Sequence, residues 1–213
     1  MNFIILGDKF QKRMKSRGCV GLIKTQSKTI LQHQYKGIRK YFPDAKIIYV
    51  YGFEAKKFNS FLNKNDSIKQ DIIPINNTQF DSYNNTHSLH IAQEFLTTDC
   101  CILFGDNVFD YSIWKKFRST SCSQVFITRK NKNKLGCIIN SNKKIENISY
   151  DLDNYLYDMY YVSKPQIDFI RSLVNNKIYH NYFIFELFNL LIDNNYPVVP
   201  FTIDSKKYHY EEQ

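Results

Sequence analysis

The first 120 residues of this 213-residue chain alternate short apolar runs with stretches of helical spacing, and that alternation restricts the fold more than any other feature. Residues 2–6, 46–51, 72–75 and 100–104 are apolar runs closed by Gly, Asp or Asn, the pattern of buried strands. Residues 29–42 place Ile30, Leu31, Tyr35, Ile38 and Phe42 at helical spacing, and Pro43-Asp44 ends that helix. Residues 54–62, 88–96 and 111–117 read as further helices, with Leu89, Ala92 and Phe95 on one face of the second. Repeated strand–helix alternation predicts a three-layer α/β fold with a mostly parallel central sheet. The four apolar runs are expected side by side in that sheet.

The second half changes character. Residues 124–128, 136–140, 144–149 and 159–163 read as short strands joined by polar turns, and 166–174 and 182–194 as helices before a last strand at 197–203. Residues 155–161 are rich in tyrosine, which fits a strand packing both faces and, less well, a base-stacking surface. No repeat, low-complexity tract or linker divides the chain, so a single domain spanning 1–213 is expected.

Composition narrows the partners. The chain is 43% hydrophobic and 23% charged, which excludes a disordered protein. Its net charge of +9 suits an anionic partner, with nucleic acid a secondary possibility, and also serves solubility. The basic residues concentrate at Lys9, Lys12, Arg13, Lys15 and Arg17, followed by Lys24 and Lys28; a solvated basic loop is the plain alternative. Five cysteines without metal-ligand spacing read as reduced thiols in a cytoplasmic protein. The apolar run 3–6 is too short for a signal peptide or a membrane span, so no membrane partner is expected. His33, His87, His90, His180 and His209 form no zinc spacing, and His87 with His90 reads as a helix-start pair.

Asp106 is the leading candidate for chemistry. Cys100 to Phe104 reads as a buried strand that ends sharply at Gly105-Asp106-Asn107. A carboxylate just past the carboxyl end of such a strand stands where open α/β sheets bind ligands. There it suits a divalent metal that clamps phosphate oxygens. Asp is equally at home capping a turn or the next helix, and both readings stand at this point.

Four segments, in order, resemble the sugar-phosphate nucleotidyltransferases and phosphocholine cytidylyltransferases, which share a Rossmann-like, glycosyltransferase-A-like fold. They are Ile5-Leu6-Gly7 through Arg13-Met14 with Gly21 to Leu31, then residues 47–53, then Asn84-Asn85-Thr86-His87-Ser88-Leu89, and finally Leu103-Phe104-Gly105-Asp106-Asn107-Val108-Phe109-Asp110. The third is similar to the family's "NNxxSL" and the fourth to its "LxGDNxF". The resemblance implies transfer of a nucleoside monophosphate from an NTP to a phosphorylated sugar or phosphocholine-like acceptor, with Mg²⁺ and release of pyrophosphate. It implies a nucleotide-binding half at 1–120 and an acceptor half at 121–213. Carried over residue by residue, it gives Arg13, Lys24 and Asp106 catalytic roles. It places Gly7, Asp8, Lys9, Lys12, Asn85, Thr86, Ser88 and Gly105 against the nucleotide, and Asp106 with Glu211 on the metal.

The departures are as informative. The family loop "AAGxGxRM" brings backbone N–H groups against a triphosphate, whereas here residues 7–14 retain only Arg13 and Met14 of its signature. The family's catalytic Lys falls at Cys19-Val20, leaving Lys24, Lys12 or Lys15 as substitutes. Three readings therefore stay open: a nucleotidyltransferase, a non-catalytic module on the same fold, and a glycosyltransferase of that fold. The last is disfavoured because Gly105-Asp106-Asn107 lacks an Asp-x-Asp pair.

Overall fold

The computed structural model describes residues 1–9, 18–108, 111–128 and 135–203. In chain order, β1 (Asn2–Leu6) is followed by a small hairpin of β2 (Lys24–Thr25) and β3 (Lys28–Thr29), then α1 (Ile30–Tyr41) and β4 (Lys46–Tyr51). Two helices, α2 (Ala55–Asn63) and α3 (Asp66–Asp71), lead to β5 (Ile72–Asn76). Next come α4 (Asn85–Ile91), β6 (Cys100–Phe104) and α5 (Tyr111–Lys116). The second half supplies β7 (Ser123–Thr128), β8 (Leu135–Ile139), β9 (Ile145–Tyr150), β10 (Tyr155–Val162), α6 (Ile167–Asn175), α7 (Ile184–Asp193) and β11 (Val198–Ile203).

A seven-stranded sheet in the order β11-β7-β10-β6-β1-β4-β5 forms the middle layer. β1 pairs in parallel with both β4 and β6, and β4 with β5, so the four runs predicted as neighbours do share one sheet. Only β10 runs against its neighbours, pairing antiparallel with β6 and β7, while β11 rejoins β7 in parallel. β8 and β9 form a separate hairpin.

Each face of the sheet is sealed by its own core. Along β1, Phe3 and Ile5 enter the core beneath α1, α2 and α5, and Ile4 and Leu6 enter the one beneath α4, α6 and α7. This two-sided burial explains why β1, β4 and β6 read as unbroken apolar runs rather than alternating ones. On one face Trp114 and Phe42 pack around Phe3; on the other, Tyr160 meets Phe188. At about 25 cal/mol per Å² of apolar surface, the fully buried rings of Phe3, Trp114, Tyr160 and Phe188 contribute roughly 1.5–3 kcal/mol each.

Some element ends are set locally and others by tertiary contacts. α1 starts at a capping box: Thr29 Oγ1 accepts from Gln32 N–H, and Gln32 Oε1 accepts from Thr29 N–H at 2.8 Å. α3, unforeseen in the sequence, is tied to α1 by a bidentate Arg39–Asp71 pair. The helix expected at 88–96 begins earlier, at Asn85, and stops at Ile91, with a 3-10 turn at Gln93–Phe95. Its start is set by long-range bonds: Asn84 N–H donates to His180 O, and Thr86 N–H to Tyr182 O.

Candidate active site at the ends of β1 and β6

The chain runs from β1 outward to β4 and β5, then returns to place β6 on the other side of β1. The gap beyond the carboxyl ends of β1 and β6 is therefore the topological switch point, where open α/β sheets bind ligands. Leu6 is in register with Phe104, so both strands end in the same dipeptide, Gly7-Asp8 and Gly105-Asp106. Gly105 N–H donates to Leu6 O at 2.9 Å, and Gln34 of α1 donates to the carbonyls of Phe104 and Asn107, both at 2.8 Å. These bonds fix the turn that carries Asp106.

The glycines here have packing reasons. A Cβ on Gly105 would lie 2.6 Å from Gly7 Cα, and one on Gly7 would lie 2.1 Å from the Tyr49 hydroxyl. The same hydroxyl would meet a Cβ on Gly21 at 1.9 Å. Tyr49 thus fills the floor beneath both strand ends. Burial, then Cys19, Asp8 and Asp106, raise its phenol well above the ordinary range, so it stays protonated.

Asp8 is fully buried. Its Oδ2 accepts from Asn77 Nδ2 at 2.8 Å and from Ser88 Oγ at 2.7 Å. Lys9 Nζ lies 3.7 Å away and donates to the carbonyls of Phe80, at 2.5 Å, and Tyr83. Burial lowers the Lys9 ammonium against the opposing pull of Asp8. Ser88 and Thr86, expected to face a nucleotide, are both buried, while Asn85 is half-buried at the start of α4. Asp8, Lys9 and Ser88 together weld the end of β1 to the loop after β5 and to α4.

Asp106 is half-buried, and the structure brings a second carboxylate to it, Asp158 of β10. β10 is bulged there: Leu156 pairs with Ile127 and Tyr160 with Val125, so β10 carries two extra residues between those pairs. Bulges re-aim side chains beside functional sites. This one carries Asp158, whose neighbour Met159 still pairs with Leu103 of β6. Burial and the charge of Asp106 push the Asp158 carboxyl up to about 7, with the Asn107 side chain opposing. A site where one carboxylate raises another's affinity for a proton also favours a cation beside the pair. Their hard oxygen donors suit Mg²⁺, so the residues present fit the metal that the motifs imply. The sequence reading missed Asp158 because the tyrosines around it read as core; the available signal was a lone acid in Tyr157-Asp158-Met159.

The other sequence candidates fall elsewhere. Lys24 is exposed on β2. Arg13, Lys12 and Lys15, and the carboxylate Glu211, lie outside the described residues. Among the described residues, no group of three or more His, Cys, Asp or Glu side chains is placed to hold a metal ion. No described helix is long and apolar enough to cross a membrane.

Comparison with solved structures places the fold. The chain superposes on the CTP:phosphocholine cytidylyltransferase of Streptococcus pneumoniae with a TM-score of 0.76 and 16% identity, covering 97% of this chain and 91% of that one. It matches the inositol-1-phosphate CTP transferase of T. maritima (TM-score 0.75, 13% identity, 96% of this chain and 86% of that one). It also matches a nucleoside-diphosphate-sugar pyrophosphorylase of Vibrio cholerae (0.74, 11%, 97% and 93%). No protein-family model and no curated protein sequence matches the chain. The protein is thus built, over almost its whole length, on the fold of these nucleotidyltransferases, the group its motifs resemble.

Proposed function

We propose that the chain is a cytoplasmic, Mg²⁺-dependent nucleotidyltransferase that transfers a nucleoside monophosphate from an NTP to a phosphorylated sugar or a phosphocholine-like acceptor. The observation that carries this reading is the Asp106–Asp158 carboxylate pair at the switch point of the sheet. An acceptor phosphate oxygen attacks the α-phosphorus, the bond to the β-phosphate breaks, and pyrophosphate leaves. Asp106 and Asp158 would hold the cation, which neutralises charge on the phosphates when bound. The weld of Asp8, Lys9 and Ser88 keeps the β1 end rigid, so that substrate is oriented rather than merely held. Arg13, with Lys12 or Lys24, supplies the positive charge that the glycine-poor loop cannot supply through backbone N–H groups.

One observation favours a non-catalytic module instead: the Lys9 ammonium is engaged by the carbonyls of Phe80 and Tyr83 rather than left free for a phosphate. Titration of the four common NTPs with Mg²⁺ at low and moderate salt separates the two readings. Saturable, base-selective binding that falls steeply with salt and is lost in Arg13→Ala supports the enzyme. Absence of binding at millimolar NTP supports the module.

A further inference from the structure

Three histidines that are scattered in the sequence converge beneath the β1–α4 weld. His87 and His90 belong to α4, and His180 lies between α6 and α7. Their ring centroids are 4.9 Å apart for His87–His180, 4.6 Å for His90–His180 and 5.8 Å for His87–His90. His87 and His180 are nearly fully buried, and their Nδ1 atoms are 3.2 Å apart. The Val174 carbonyl can only accept, so His180 Nε2, 3.0 Å from it, carries a proton. The neutral His180 Nδ1 is then an acceptor, and His87 Nδ1 must donate to it.

This arrangement has room for one proton between the two rings. A first added proton must sit on His87 Nε2, in a ring packed tilted against Tyr83 with centroids 4.6 Å apart. A second, on His180 Nδ1, would set two N–H groups face to face. The charges that act on the trio are positive: Lys9 on His87, and Lys177 on His90. Asp8 and Asp81, the acids of the neighbouring segments, act on Lys9. From α6, His90 meets the Asn175 side chain and the Val174 backbone, which are uncharged.

We propose that His87, His90 and His180 form a proton-sensitive clamp that holds α4, and through Tyr83 and Lys9 the end of β1, closed at neutral pH and releases them on acidification. The mechanical link is continuous: the His87 ring packs tilted against Tyr83, the Tyr83 carbonyl accepts from Lys9, and Ser88 on α4 donates to Asp8. Burial, then the other two rings and Lys9, lower His87 from 6.5 to about 4. A released ring takes up its proton near 6.5, whereas a clamped one does so only near 4. The closed state is therefore at full strength above about pH 6.5 and loses ground as the pH falls from 6.5 toward 4. On the nucleotidyltransferase reading, the released segment is one wall of the nucleotide site, so acid would weaken nucleotide binding as well.

Hydrogen exchange on the full chain, without nucleotide, tests the clamp independently of that reading. Amide exchange, corrected for its intrinsic pH dependence, is followed in segment 83–91 and, as a reference, in β4. Between pH 7 and pH 5 the opening of 83–91 relative to β4 should rise roughly thirtyfold, at tenfold per pH unit below 6.5 for one histidine. His87→Phe, which keeps a ring against Tyr83 but cannot titrate, should cut that rise to less than about tenfold. If His87→Phe does not fold, His90→Gln at its half-buried position should give a smaller reduction in the same direction. Unchanged protection of 83–91 at pH 5 in the wild type, or an equal rise in the folded variants, overturns the proposal.

Discussion

Asp8 and Asp106 occupy equivalent places, each after a glycine just past the carboxyl end of adjacent parallel strands, yet their surroundings are opposite. Asp8 is sealed in the protein and receives hydrogen bonds from Asn77 and Ser88, with Lys9 beside it. Asp106 is half-buried and faces another acid, whose carboxyl it helps raise to about 7. One carboxylate is spent on holding elements together. The other sits in an arrangement that costs stability until a cation or proton joins it, as functional sites commonly do. The position in the fold is shared, and the neighbours decide the role.

The largest expected effect of breaking this contrast is on catalysis. Asp106→Ala should reduce pyrophosphate release by roughly a hundred- to a thousandfold, the scale for removing a group that stabilises transition-state charge. Its thermal unfolding midpoint should move little, because the side chain is half-buried and lies next to a like charge. Pyrophosphate release and thermal unfolding measured on the same preparation check both halves.

The next effect is on stability. Asp8→Ala leaves Asn77 Nδ2, Ser88 Oγ and the partly desolvated Lys9 ammonium short of a partner. Breaking a buried charged pair costs about 3 kcal/mol, which lowers the midpoint of a chain this size by roughly 6–12 °C. If Asp8→Ala is as stable as the wild type and loses only activity, the contrast between the two aspartates fails.

The smallest effect has the opposite sign. The folded Asp158 carboxyl titrates near 7, against 3.8 for the ordinary group. Its cost is absent below about pH 3.8, grows as the pH rises toward 7, and is fully present above it. Asp158→Asn should therefore raise the melting temperature of the cation-free protein at pH 8, with little change at pH 4. The comparison is made by thermal melts in chelator at the two pH values.

How much of this was legible in the sequence follows from the range of the interactions. β1, β4 and β6 were readable because burial on both faces leaves an unbroken apolar run, a purely local signal; β5 was read as buried too, but it is an edge strand with Ile73 and Pro74 exposed. The α1 boundary was readable within a residue because its cap is local, from Thr29 to Gln32. The start of α4 was not, because it is set by carbonyls of His180 and Tyr182, more than 90 residues away. Asp106 stood out through the turn residues around it. Asp158 did not, since only the β10 bulge and the antiparallel return beside β6 bring it there. His180 joins His87 and His90 for the same kind of reason, and no spacing rule anticipates it. The reading of Asp8 and Ser88 as nucleotide contacts came from motif position; the hydrogen bond between the two, across 80 residues, left no sequence signal.

The account stands most directly on cation-dependent nucleotide binding. The measurement is a calorimetric titration of each common NTP into the full chain, with Mg²⁺ and with chelator, for the wild type, Asp106→Asn and Asp158→Asn. The account predicts saturable binding of at least one NTP that needs Mg²⁺ and is lost or weakened at least about tenfold in each variant. Binding that is equally tight in chelator and in both variants, or no binding of any NTP at millimolar concentration, would contradict it.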